Sequence, residues 1–237
     1  MTKMLDSVQT RRALLRSALV VAGGAVASAC ARTIDAPTLA ARPAPPLPVP
    51  EPRPFIPATV ATQSSAPAGI RPELFHRAVA ALNRHSMSVR SHDKIAIADF
   101  ASSSSNARFH IVNLGSGECT SLLVAHGSGS DPAHTGFLQR FSNVPGSNAT
   151  SEGAYLTSNY YYGKHGRSQR LLGLDATNSN ALDRAIVVHG AWYANADMLE
   201  THGKLGRSQG CFAVGEGNLD LVFGHLGEGR MIYAAKI

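Results

Sequence analysis

From Lys94 onward the chain alternates with a period of two. Ile95 and Ile97 are interleaved with Ala96 and Ala98, and Phe109 and Ile111 with His110 and Val112, the spacing of strands with two distinct faces. Leu114-Gly115-Ser116-Gly117-Glu118 has the composition of a hairpin turn. Cys119–His126 predicts the next strand, Ala185–His189 a buried one ending at Gly190, and Arg230–Ala235 a last one. Helical spacing is confined to two places. Leu74, Ala78, Ala81 and Leu82 share a face behind Pro72, a residue suited to a first turn, and 218–223 predicts a second helix. Many strands, glycine turns and a few short helices predict a mainly β sandwich or barrel over residues 73–237. That length holds an adequate core.

The segments ahead of this domain read differently. Residues 1–30 carry a cationic start, Thr10-Arg11-Arg12-Ala13-Leu14-Leu15-Arg16, then an apolar run and Ala27-Ser28-Ala29-Cys30. This is an export signal of twin-arginine character, which directs the protein to the periplasm or cell envelope. The uncharged run after Arg16, Ser17 to Ala31, is 15 residues, short of the roughly 20 that span a bilayer. Cys30 sits at the cut site, where it either accepts a lipid that tethers the protein to the membrane or is discarded with the signal. Residues 31–72 form a linker: 11 of the 13 prolines fall between Pro37 and Pro72. Proline removes amide donors and fixes φ, so the stretch favours a stiff polyproline II spacer; the alternative is that part of it packs along the domain.

Charge follows the same division. The formal +6 is concentrated early, with five Lys/Arg against two Asp/Glu in residues 1–35 and three against one in 36–72, leaving 14 against 13 in 73–237. A nearly neutral domain without a basic block excludes phosphate-tracking contact with nucleic acid.

Two cysteines remain in the domain, and in an oxidising compartment they invite a disulfide. Their settings differ. Cys119 opens an apolar strand, whereas Cys211 ends the polar loop Gly206-Arg207-Ser208-Gln209-Gly210-Cys211. A glycine before a thiol lets backbone N–H groups converge on one point, as an oxyanion requires, and Arg207 favours the thiolate. His189, at the end of a buried strand, is placed to take the thiol proton. No Cys-x-x-Cys or His-x-x-x-His spacing indicates a metal site. One segment is nearly duplicated: Gly163-Lys164-His165-Gly166-Arg167-Ser168-Gln169 returns as Gly203-Lys204-Leu205-Gly206-Arg207-Ser208-Gln209, and only the second copy runs on into Gly210-Cys211. Coincidence and two loops facing one groove are both consistent with it.

Val188-His189-Gly190-Ala191 followed by Gly206–Cys211 resembles the bacterial L,D-transpeptidase catalytic domain, in its murein branch. Val124–Ser130, Phe141-Ser142-Asn143, Thr150–Tyr155 and Tyr162–Gly166 extend the likeness over roughly 90–237. Two positions depart from the family pattern: Gln209 stands where a His is usual, and Ala213 where Asn or Arg is usual. The resemblance implies a β-sandwich or barrel of that type and a cofactor-free enzyme that cross-links peptidoglycan stem peptides. Cys211 would form a thioester with a donor stem and His189 would act as base, then acid. Gly210 and Cys211 N–H groups would hold the oxyanion, with Ser208 and Arg207 orienting the loop or a stem carboxylate. An amine of a second stem would resolve the thioester, giving 3–3 links, or 1–3 links as in relatives with proline-rich stretches. Tyr155, Tyr162, His126, Asn143 and Gln209 are candidates for the substrate groove. Two alternatives stay open: water resolves the thioester, giving a carboxypeptidase or endopeptidase, or the domain is a wall-binding module with Cys211 oxidised onto Cys119.

Overall fold

A computed structural model describes residues 65–237; the export segment, Cys30 and most of the proline-rich stretch lie outside the described residues. Helix α1, Pro72–Arg84, starts on its proline and turns Leu74, Phe75, Ala78, Val79, Ala81 and Leu82 inward. Eight strands form one sheet: β1 Lys94–Asp99, β2 Phe109–Asn113, β3 Cys119–Leu122, β4 Gly153–Gly163, β5 Gly166–Gly173, β6 Val187–Gly190, β7 Phe212–Val214 and β8 Met231–Ala235. Their order is β3-β2-β1-β8-β4-β5-β6-β7. Pairing is antiparallel except for β1 with β8 and β6 with β7. Two short helices, α2 Asp197–His202 and α3 Leu219–Leu226, complete the domain.

The two-residue period becomes two apolar layers. Ile95, Ile97 and Met231 face α1, while Ala96, Ala98, Phe109, Ile111, Ile232 and Ala234 face an inner core with Tyr155, Val188, Phe212 and α3. Small alanines on the inner face give the sheet room to curl. Its two ends then meet: just past β3, Ala125 donates to Ala213 of β7 at 2.8 Å, and Gly127 bridges Ser208 in the loop ahead of β7. Because chain beyond Leu122 leaves the sheet to make those bridges, β3 is shorter than the predicted Cys119–His126.

The end of the proline-rich stretch belongs to the domain. Ala66 and Ile70 pack against the α1 layer, and Arg71 pairs with Asp99 (Nε to Oδ2 3.0 Å) and donates to the backbone oxygen of Ile237. Folding thus begins before residue 73. The β4–β5 hairpin and α2 were not among the predicted elements. In β4 three consecutive tyrosines, Tyr160 to Tyr162, and a register shift between Thr157 and Tyr160 obscure the alternation.

Candidate active site

An open cleft of about 510 Å³ lies where β6 and β7 emerge from the sheet, and both His189 and Cys211 line it. The two parallel strands place them: His189 is in register with Ala213, and Cys211 directly precedes β7. His189 is 1% exposed. Its Nδ1–H donates to the Gly190 carbonyl at 2.9 Å, which leaves Nε2 as the basic nitrogen. Burial pushes this imidazole below its ordinary pKa, the Gly190 bond opposes that shift, and His165 and Lys164 add to it.

The Cys211 loop is shaped by backbone contact. Gly210 has φ +112, and a Cβ there would lie 2.7 Å from the Ala149 carbonyl, so only glycine fits. Ser208 closes the turn, its Oγ donating to the Cys211 carbonyl at 2.7 Å and accepting the Gly210 N–H at 3.1 Å. The Gly210 amide is therefore spent inside the loop rather than offered as an oxyanion donor, and the Cys211 N–H is the amide left beside the sulfur. The thiol points to the Ala185 carbonyl at 3.6 Å. Ala185 has φ +54, a left-handed conformation that costs about 1–2 kcal/mol in a residue with a Cβ and aims its carbonyl into the site. Burial pushes the thiol pKa up, opposed by the Val187 amide and by the charges of Lys164 and Arg184.

Those two cations replace Arg207 in the role expected of it. Arg207 lines the cleft, but its Nη1 donates to the backbone carbonyls of Asp131 and Pro132. Arg184 lies beneath the 142–149 loop, donating to the Ser142 carbonyl at 2.7 Å and to that of Ala149. Asp183 is the acid in the lining.

The structure brings Cys211, His189, Arg207, Ser208 and Gln209 to the cleft and leaves five other candidates out of its lining, Gly210 of the Cys211 loop and four residues elsewhere. Tyr155 is buried in the core, edge-on to Phe212, with its hydroxyl on Ser151. Tyr162 is 82% exposed near the hairpin tip, and its neighbour Tyr161 lines the cleft instead, because side chains alternate along a strand. Asn143 ties its loop to Ala176, Ser179 and Asn180. His126 is 1% exposed, its Nδ1 taken by Arg108 at 2.7 Å. Both cysteines are free thiols, and among the described residues no cluster of three His, Cys, Asp or Glu is arranged to hold a metal ion.

The duplicated segment finds its place here. Its first copy forms the β4–β5 turn and the start of β5, where Ser168 pairs with His189, and its second is the Cys211 loop. Lys164 and His165 from one and Arg207 to Gln209 from the other line the same cleft. The His165 ring lies over that of His189, centroids 4.2 Å apart and 20° from parallel. The repeat was the sequence signal for Lys164 and His165. Nothing comparable marked Tyr193, Arg184 or Ala185.

Fold and site together define a class: a mainly β domain with a thiol and an imidazole in one open cleft. A model of the L,D-transpeptidase catalytic domain matches residues 66–235, and the chain belongs to that family. No curated protein matches it. Solved structures similar to it include an L,D-transpeptidase from Mycobacterium tuberculosis H37Rv, at 14% identity and TM-score 0.39, covering 61% of this chain and 58% of that one. Others are L,D-transpeptidase 3 from M. tuberculosis in complex with a faropenem-derived adduct (13%, 0.39, 61% and 60%) and an L,D-transpeptidase from M. smegmatis (13%, 0.38, 60% and 58%). The chain spans about three-fifths of the length of these structures.

Proposed function

We propose that this protein is a peptidoglycan L,D-transpeptidase that works through a Cys211 thioester, outside the cytoplasmic membrane to which its N-terminal export pattern directs it. The observation that carries the reading is the shared cleft: the buried imidazole of His189 and the Cys211 thiol line one opening large enough for a peptide. Burial moves the two pKa values apart, thiol up and imidazole down, which favours a neutral resting pair over a preformed ion pair. The base must therefore take the proton as the sulfur attacks.

The steps follow from that. His189 Nε2 accepts the thiol proton while Sγ bonds to a carbonyl at an L-centre of the donor stem. The Cys211 N–H stabilises the oxyanion, and the Gly190 carbonyl stabilises the imidazolium through Nδ1–H. Collapse breaks the C–N bond, and His189 returns its proton to the departing D-residue amine. A second stem's amine then attacks the thioester, again losing its proton to His189. Lys164 and Arg184 reduce the cost of thiolate when it forms and leaves. The free state of both cysteines favours this reading over a wall-binding module closed by a disulfide.

The test is incubation of the purified full chain with stem tetrapeptides, followed by product mass. Cross-linked dimers, 3–3 or 1–3, are expected, and none from Cys211→Ala. Shortened monomers alone would make the protein a carboxypeptidase, and no reaction would overturn the thiol mechanism.

A further inference from the structure

A transfer between two peptides needs two binding sites, and the structure has a second groove beside the first. It has a volume of about 550 Å³ and shares Tyr193 and Arg207 with the Cys211 cleft, so those two side chains form the ridge between them. The ridge is fixed. Gly206 donates its N–H to the Tyr193 carbonyl at 2.7 Å, and a Cβ on Gly206 would lie 2.6 Å from the Tyr193 Cβ. On the far side Trp192 is 66% exposed, standing edge-on to Tyr193 with ring centroids 5.8 Å apart. Met198 continues the apolar floor, and Lys204, His202 and Arg207 line it with no acidic residue among them; Asp197 and Glu200 of α2 are not part of the lining. An uncovered aromatic next to cations suits a ligand with an apolar body and carboxylates.

We propose that this groove is the acceptor site: it takes the acidic stem peptide whose amine resolves the thioester, its apolar portion on Trp192 and Met198 and its carboxylates on Lys204 and Arg207. The proposal rests on the thioester reading above. Continuity over the Tyr193–Arg207 ridge supports it, since the donor chain still occupies the main cleft when the acceptor arrives. Charge complementarity supports it as well. In the step served, the acceptor nitrogen bonds to the thioester carbon, the C–S bond breaks, its electron pair leaves on Cys211, and the amine proton passes to His189. Arg207 keeps donors for this, because only Nη1 is engaged by the carbonyls of Asp131 and Pro132.

The experiment uses the full chain with a tetrapeptide stem as donor and a diaminopimelate-containing tripeptide stem as acceptor. It compares wild type with Trp192→Ala and Lys204→Glu. The acyl-enzyme is followed by intact mass and the dimer by chromatography. The expected result is a rise of about tenfold in the acceptor KM in each variant, equivalent to about 1.4 kcal/mol, and a larger share of hydrolysed donor. The rate of Cys211 acylation should stay within about twofold of wild type, a change of under half a kcal/mol. An unchanged acceptor KM in both variants overturns the proposal, including when only binding to stem-less glycan chains is lost, which would assign the groove to sugar. Equal losses in acylation and in acceptor use overturn it too, since they indicate damage to the whole domain. Wild type that forms no acyl-enzyme overturns the thioester reading itself.

Discussion

In the proposed mechanism two side chains, Cys211 and His189, carry the chemistry, and burial governs how they share a proton. Both groups are shifted toward their neutral forms, so proton transfer and sulfur attack are expected to coincide. Acylation should show a normal solvent isotope effect, whereas a preformed thiolate–imidazolium pair would show none. Because His189 is held below the ordinary imidazole pKa, acylation should persist to more acidic pH than an unperturbed histidine allows. Removing the nearby ammonium has the opposite sign for the sulfur. In Lys164→Met the pH profile of Cys211 alkylation by iodoacetamide should move to higher pH. Gly210→Ala should cost about 2–4 kcal/mol, through left-handed strain and the clash with the Ala149 carbonyl, read as a lower denaturation midpoint. That Cys211 and His189 share a cleft was legible in the sequence, because a thiol after glycine and an imidazole near the close of a buried strand are uncommon settings. Tyr155 and His126 were misjudged, because residue type says nothing about which face of a backbone a side chain leaves from. Ala185 was invisible, since its left-handed φ comes from the tertiary fold and not from its own preference.

At the scale of elements, the β4–β5 hairpin does the most for the site. Its tip stacks His165 on His189 and brings Lys164 into the cleft, and Arg167 of the same turn pairs with Asp220 of α3 at 3.0 Å. His165 excludes water from one face of the imidazole. His165→Ala should therefore let the His189 pKa rise toward its usual value, and the acid limb of the acylation profile should shift to higher pH. The loss should be greatest below neutral pH and small above it, measured as acylation rate against pH. The hairpin was also the element hardest to read. Its long strands have a bulge and a tyrosine run, and periodicity fails where a strand changes the face it buries. Strands β1, β2 and β8 were legible because both of their faces meet packed layers, and β6 because its apolar residues Val187 and Val188 are buried even though one of its faces borders the cleft.

For the molecule as a whole, a buried polar cluster stands behind the nucleophile loop. Arg108, 1% exposed, donates to the carbonyls of Ser102 and Val124 and to His126 Nδ1. His126 Nε2 is 3.5 Å from Asp131 Oδ2, long for a hydrogen bond, and the His126 carbonyl accepts the Ser208 N–H at 2.9 Å. Burial first, and Arg108 next, pull the His126 pKa from 6.5 to about 3. Between those values the unfolded chain binds a proton that the folded one refuses, so stability present above pH 6.5 is lost as pH falls toward 3. The melting temperature should decline over that window, and less steeply in His126→Gln. The central claim, that Cys211 activated by His189 is the nucleophile, has a more direct test. Full-length protein under reducing conditions is treated with a carbapenem and mapped by peptide mass spectrometry. The account predicts one adduct, on Cys211, formed about 10²–10⁴-fold more slowly in His189→Ala and absent in Cys211→Ala. No adduct on wild type, or an adduct on Cys119 instead, would contradict it.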